Sequence, residues 1–325
     1  MCNLSIIIPA YNAERYVTRC LKSVFECIDI DNFEIILVDD GSTDHTCELV
    51  EQFIHDTKSE NIKIVHQQNS RQGAARNHGM RLAQGKYLMF VDVDDYLLPV
   101  HFAKYYEIAE NNNLDILKFS SQVFNKWGGY TINCESQFAE DKIYTGIETI
   151  LKNYTIGSVW AAIYNRDFIN ESNVQFREDI VHEDVEFMLR LLPHAKQISF
   201  KSACLYAYCW NEGSTDRSRT RENILRLKKS DIIIATSFKR IADFYPSSLH
   251  DIYLKKSNSM VVQHLISLIQ NEDNLSIDER MELLQYSILN KIYPMDSYCT
   301  LSWKTTLLQL ILNQPLIVKR LIKHF

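Results

Sequence analysis

What this chain lacks narrows its identity before anything it contains. It holds only 9 glycines and 6 prolines in 325 residues. No glycine falls in the turn after the first strand-like run, Pro9-Ala10-Tyr11-Asn12-Ala13. A G-x-G-x-x-G fingerprint is therefore missing there, and G-x-x-x-x-G-K-[ST] occurs nowhere. No Lys/Arg tract stands out in the first two thirds and the net charge is −6. That argues against a nucleic acid as the main partner, because binding a phosphate backbone needs a basic face. No run approaches the ~20 apolar residues of a membrane span. Residues 4–8 are too short for a signal-peptide core and are stopped by Pro9. The 8 cysteines form no C-x-x-C pair and no His-flanked zinc pattern. Cys20, Cys27 and Cys47 lie in apolar contexts that suit buried thiols, and cytoplasm is the default compartment. No repeat, low-complexity linker or Ser/His/Asp or Cys/His nucleophile set is visible. The rest is ordinary for a globular chain, 46% hydrophobic and 23% charged, with length for one large domain or two smaller ones.

Strand and helix signals alternate over the first hundred residues. Residues 4–8 read as a buried strand, followed by Val17, Cys20, Leu21, Val24 and Phe25 at helical spacing. Residues 34–38 form a second strand, ending in Asp39-Asp40-Gly41-Ser42-Thr43-Asp44. That acidic turn carries N-cap residues for a helix with Cys47, Val50 and Ile54 inward. Residues 62–65 are a third strand, Gly73 opens a helix that closes at Gly85, and residues 87–91 are a fourth strand. Such βαβ units build a mostly parallel sheet with right-handed crossovers. Ligands of these sheets bind beyond the carboxyl ends of the strands. Four polar clusters sit at those ends, at residues 9–12, 39–41, 66–73 and 92–95, and together they point to one site.

Further on, residues 102–109 read as a helix and Trp127-Gly128-Gly129-Tyr130 as a hairpin turn. Residues 147–154 read as a short helix. Val185, Met188, Leu189 and Leu192 mark another, with Glu183-Asp184 at its amino end. Residues 199–210 read as strand, and residues from about 221 to Tyr293-Pro294 as helix.

Asp92 and Asp94, two apart at the end of an apolar strand, are costly unless a cation neutralises them. Mg2+ or Mn2+ is commonly held by one or two carboxylates plus substrate phosphates, so a metal on Asp94 would hold phosphates without a glycine nest. Alone, this pair reads better as a solvated acidic loop; the other three clusters reverse that in favour of the site. Asp39 can accept hydrogen bonds from a base or ribose, and Tyr11 offers a ring for stacking.

Four motifs in order carry a resemblance: Ser5-Ile6-Ile7-Ile8-Pro9-Ala10-Tyr11-Asn12, Val38-Asp39-Asp40-Gly41-Ser42-Thr43-Asp44, Gly73-Ala74-Ala75-Arg76-Asn77-His78-Gly79 and Asp92-Val93-Asp94-Asp95. They resemble the family 2 glycosyltransferases of the GT-A fold. His182-Glu183-Asp184-Val185-Glu186-Phe187 is similar to that family's Glu-Asp motif, and residues 206–214 to its Tyr-rich strand. The resemblance implies an α/β GT-A catalytic domain over residues 1–220, with a Rossmann-like, mostly parallel central sheet and flanking helices. Nucleotide-sugar binding would occupy about 1–100 and the acceptor part about 101–220, with a helical region at 221–325. It further implies inverting transfer of a sugar from a nucleotide diphosphate, a UDP-sugar first, to a glycan or lipid-linked acceptor in surface polysaccharide synthesis.

Carried over by position, Pro9, Tyr11, Asn12, Asp39, Asp40, Arg71, Gly73, Arg76, Asp92 and Val93 would meet the donor, with Asp92 on the ribose. Asp94 would hold Mg2+ or Mn2+, and Asp184, or else Glu183, would be the catalytic base. Plainer readings stand beside these. Asp40 and Asp44 suit turn caps, and Asp184 suits an acidic first helical turn. His182 reads equally as a metal ligand or acceptor contact and as a solvated loop residue, and Trp160 equally as lining the acceptor site and as packing. Where the family often has arginines before its Gly-Ser, this chain has Cys209, Trp210 and Asn211, which leaves Arg217 or Arg219 on a closing loop as substitutes. A sugar-1-phosphate nucleotidyltransferase is a rival, but it would carry a Gly- and Arg-rich loop after the first strand. A non-catalytic donor-binding protein is another. Residues 302–325 combine leucines and isoleucines with Lys304, Lys319, Arg320 and Lys323, which suits either an anionic membrane surface or packing on the fold, with Pro315 splitting two helices.

Overall fold

Apolar runs of four to seven residues build the first half of a sheet. In the computed structural model of the chain, β1 (Leu4–Ala10), β2 (Phe33–Asp39), β3 (Ile62–His66) and β4 (Tyr87–Phe90) are all parallel, in the order β3-β2-β1-β4. The crossovers are α1 (Val17–Cys27), α2 (Thr46–Thr57) and α3 (Arg71–Leu82). Residues 2–152, 154, 157–215, 217–245, 247–295 and 303–324 are described. The chain divides into two compact units, Met1–Asp179 with Glu183–Asn211, and Ile180–His182 with Glu212–Phe325.

β1 is buried along its whole length, because helices cover both faces of a parallel sheet. Beyond β4 the first unit continues through β5 (Tyr96–Leu97), α4 (Phe102–Asn111), β6 (Ile116–Phe124), β7 (Tyr130–Asn133), α5 (Gly146–Leu151), β8 (Ala162–Asn165), α6 (Arg166–Ser172), α7 (Glu183–Leu191) and β9 (Ile198–Tyr208). The sheet extends as β4-β8-β6-β9-β5. β8 runs antiparallel to β4 and β6, while β6 and β9 are parallel. The α/β class therefore stands, and the run of parallel neighbours is broken at β8, beyond which only β6 and β9 pair in parallel. The four residues of β8 pass directly into α6, whose N-cap Asn165 accepts from the Asp167 and Phe168 amides, leaving no strand-length pattern to read. The short helix expected at 147–154 is α5, opened by a Thr145–Glu148 capping box; Asn153 lies outside the described residues.

The second unit is helical: α8 (Arg221–Phe244), α9 (Ser247–Gln270), α10 (Ile277–Leu289), α11 (Trp303–Leu312) and α12 (Pro315–His324). Ile232, Val262, Leu265, Leu283, Val318 and Ile322 form its core. Pro315 opens α12, where its missing N–H has no intrahelical partner to lose. Ser302 and Phe325 of the basic tail lie outside the described residues. Among the described residues no helix is long and apolar enough to cross a membrane, and the described cysteines are all free thiols.

Candidate functional site

Turn chemistry at the carboxyl ends of β1 and β2 sets the rim. Asn12, with φ of 47°, accepts from the Thr43 amide at 2.8 Å and donates its own amide to Ser42 Oγ at 3.0 Å. Pro9 is buried within β1 opposite Val38, and Tyr11 is 51% exposed, its ring open for stacking. Asp39 is buried, with Oδ1 accepting from the Ser42 amide at 3.1 Å and Oδ2 3.2 Å from His66 Nδ1. Burial pushes its carboxyl up, but the hydrogen bonds from Ser42 and His66 outweigh that and hold it below the usual range. Asp40 accepts from Gln67 Nε2 at 2.8 Å and from the Ser70 and Arg71 amides at 2.7 Å each. It thereby caps the start of α3, where Arg71 holds φ at 74°. Asp44 likewise accepts from the Glu14 and Thr46 amides. Gly73 is buried, and a Cβ there would run into the Arg177 carbonyl oxygen.

Arg76 is the hub. Fully buried on α3, it donates from Nη2 to Asp92 Oδ1 at 2.6 Å and from Nη1 to Glu183 Oε1, and its guanidinium lies over the Phe176 ring. Asp92 Oδ1 also accepts from Gln72 Nε2 at 2.9 Å. One side chain thus joins the turn after β4 to the first turn of α7. Burial pushes the Glu183 carboxyl up to about 7, the Arg76 guanidinium pulls it down and Asp184 adds to the rise. Asp184, the next residue, is half-buried rather than buried, and its Oδ1 accepts from the Val185 amide at 2.8 Å. His182, with φ of 60°, belongs to the second unit, as do Arg217 and Arg219.

The remaining acids of the turn are tied to β9 and the segment after it. Tyr206 donates its hydroxyl to Asp95 Oδ2 at 2.7 Å and accepts from the Asp92 amide at 3.0 Å. Asp95 Oδ1 accepts from the Cys209 amide at 2.7 Å, and Asp94 Oδ2 from Asn211 Nδ2 at 3.0 Å. Val93, between them, is half-buried against the core. Arg19 reaches the Asp94 carbonyl at 2.5 Å. Burial first, and then Asp92, push the Asp94 carboxyl above its ordinary value; burial, Asp92 and Asp94 do the same to Asp95. Asp92, Asp94 and Asp95 fall within four residues, and burial with their mutual repulsion outweighs the hydrogen bonds at Asp94 and Asp95, which suits a divalent cation.

On the other side, Trp160 stacks on Tyr206 (4.8 Å between centroids) and Tyr208 (5.5 Å). Lys118 Nζ donates to the Trp160 carbonyl at 2.7 Å. Burial pushes Lys118 down to about 8 against the pull of Glu135 and Asp184. It borders a cavity of about 240 Å³ with Phe119, Glu135, Phe138, Phe200 and Lys201.

Sequence reasoning missed Gln72, Arg19 and Lys118. Only Lys118 left a signal, as a lone cation inside the buried run Ile116-Leu117-Lys118-Phe119. Cys47, read as a buried thiol, is instead half-buried beside His66, its Sγ 4.0 Å from Nδ1.

The chain is similar to known proteins in sequence and in fold. A family model described as glycosyl transferase family 2 matches residues 5–172. "Uncharacterized glycosyltransferase EpsJ" of Bacillus subtilis is 32% identical over 218 residues, 65% of this chain and 62% of the relative. "Poly(ribitol-phosphate) beta-N-acetylglucosaminyltransferase TarS" of Staphylococcus aureus is 28% identical over 216 residues, 64% of this chain and 35% of the relative. The chain therefore matches about three-fifths of the length of relatives such as EpsJ. The structure of S. aureus TarS 1-349 in complex with UDP aligns with a TM-score of 0.67 at 21% identity, covering 99% of this chain and 90% of that one. Mannosyltransferase PcManGT from Pyrobaculum calidifontis, in complex with GDP-Man and Mn2+, aligns at 0.57 and 14%, covering 98% and 86%. At such identities the structural likeness speaks for the fold alone. The family match, over more than half of the chain and on the same fold, makes this protein a member of glycosyl transferase family 2.

Proposed function

We propose that this chain is an inverting glycosyltransferase that moves a sugar from a nucleotide diphosphate, a UDP-sugar first, to an acceptor hydroxyl. The observation that carries the reading is Arg76, which ties Asp92 on the donor side to Glu183 beside Asp184. In this scheme Tyr11 stacks on the base and the Asp39 carboxylate accepts from it. Asp92, oriented by Arg76 and Gln72, receives the ribose. Asp94 would hold Mg2+ or Mn2+, which when bound supplies charge stabilisation for the leaving diphosphate.

Glu183 is buried and committed to Arg76, so Asp184 takes the base role. The acceptor oxygen bonds to the anomeric carbon from the face opposite the departing phosphate oxygen, and its proton passes to Asp184. In this scheme the acceptor would lie on the cavity side of Trp160, where Lys118 is within electrostatic reach of Asp184. The uridine ligand of TarS and the surface-polymer names among the relatives favour a UDP-sugar and a glycan or lipid-linked acceptor. A nucleotide-sugar panel read by diphosphate release tests the reading: release with one UDP-sugar supports it, and no release with any donor, with or without Mn2+, overturns it.

We also propose that residues 303–324 rest on an anionic membrane surface. Leu307, Leu310, Ile311 and Leu316 are more than half exposed, and Lys319, Arg320 and Lys323 supply positive charge nearby in sequence. Flotation with anionic vesicles should carry the full chain and leave Leu316→Glu behind; equal behaviour of the two would retire the contact.

A further inference from the structure

The β2-α2-β3 unit brings three different metal-ligating side chains to one point. Asp39 is the last residue of β2, His66 the last of β3, and the two are register partners. Cys47 lies in the first turn of α2, which joins those strands. Their ligand atoms all lie within 4.8 Å of one another, with Asp39 Oδ2 3.2 Å and Cys47 Sγ 4.0 Å from His66 Nδ1. A tetrahedral zinc ion with ordinary bond lengths spaces its oxygen and nitrogen ligands roughly 3.3 Å apart and its sulfur and nitrogen roughly 3.5 Å. The Asp39–His66 edge already matches such an ion, the Cys47–His66 edge needs about half an ångström, and all three ligand atoms lie within 4.8 Å.

Two other readings fail on geometry. A Cys-His-Asp nucleophile needs the acid and the thiol on opposite ring nitrogens, whereas both approach the same Nδ1 here. Burial and Asp39 also push the Cys47 thiol up to about 11, the wrong direction for a nucleophile. A hard cation would avoid thiol and imidazole; oxygen, nitrogen and sulfur together suit zinc. The acid is already oriented, because the Ser42 amide occupies Asp39 Oδ1 and leaves Oδ2 facing His66.

We propose that Asp39, Cys47 and His66 form a three-ligand Zn2+ site whose fourth position is open. Binding displaces the Cys47 proton to solvent and takes the Nδ1 lone pair of His66, with the ring proton on Nε2. Since Asp39 is also the proposed base-binding carboxylate, zinc here would compete with the donor; this consequence rests on the donor reading, while the site itself does not.

Cobalt(II) is the probe, since a Co–thiolate bond gives a charge-transfer band in the near ultraviolet. Wild-type protein, reduced and stripped of metal, should develop the band with one equivalent of Co2+ and lose it on adding Zn2+. Cys47→Ser should not show the band, and His66→Gln should weaken Co2+ binding. Absence of the band in the wild type, or its persistence in Cys47→Ser, overturns the site. Calorimetry of UDP with excess Mg2+ then tests the consequence. One equivalent of Zn2+ should weaken UDP binding roughly ten-fold or more in the wild type and leave Cys47→Ser unchanged. Equal weakening in both forms refutes competition at this site. If UDP fails to bind even without zinc, the donor reading falls while the cobalt band still decides the metal site.

Discussion

In the N-terminal unit the buried guanidinium of Arg76 meets two carboxylates, whereas in the C-terminal unit the buried ring of His264 meets no hydrogen-bond partner at either nitrogen. The contrast extends beyond these residues. Around the rim, buried acids are answered one by one, Asp40 by amides, Asp95 by Tyr206 and Cys209, and Asp92 by Arg76 and Gln72. In the helical unit apolar packing dominates, and Tyr253 Oη is also buried without a partner. Arg76 Nε, Tyr106 Oη and Arg166 Nε of the first unit are also buried without a partner, so the contrast lies in the rim carboxylates Asp40, Asp92 and Asp95, whose partners hold their geometry.

The largest break in that comparison comes from charge. Asp94→Asn should reduce transfer by at least about 10²-fold and abolish the dependence of UDP affinity on Mn2+, read by turnover and calorimetry. An unchanged metal dependence would move the metal elsewhere. Arg76→Met should destabilise the fold by about 3–5 kcal/mol in urea unfolding, because two buried carboxylates lose their cation. A change below about 1 kcal/mol would mean that solvent reaches the pair.

Acid sharpens the contrast, because the two units respond with opposite sign. Glu183 has a folded value above its unfolded one, so its contribution is full below about 4.5 and lost as pH rises through about 7. His264 is pushed down by burial, then by Lys228, to about 3. Its contribution is full above the unfolded value of 6.5 and lost as pH falls below it. His264→Leu should therefore remove an acid loss on the order of 1–2 kcal/mol between pH 8 and 5, and match or exceed wild-type stability at neutral pH. In Glu183→Gln the stability deficit against wild type should narrow as pH rises from 5 to 8. Melting curves across this range check both, and parallel pH profiles would refute the buried assignments.

The same division governs what could be read in the residues alone. β1 to β4 and the four rim clusters were legible because each strand is mostly apolar and is followed by a polar cluster at its carboxyl end. Arg76 lay inside a recognisable motif, yet its bridge spans 107 positions to Glu183, a pairing no local pattern encodes. β8 was too short to register. The helical region read as helix with few turn signals because Pro246, two residues after the end of α8, was passed over and the break after Gln270 carries no glycine or proline. Cys47 was misjudged for a related reason, since its neighbours in sequence are apolar while its neighbour in space is His66.

Asp184→Asn measures the central claim most directly, with UDP affinity and turnover followed on the same protein. Turnover should fall by about 10²–10⁴-fold, as for loss of a general base, with UDP affinity within a few fold of wild type. A variant that keeps wild-type turnover would contradict the account.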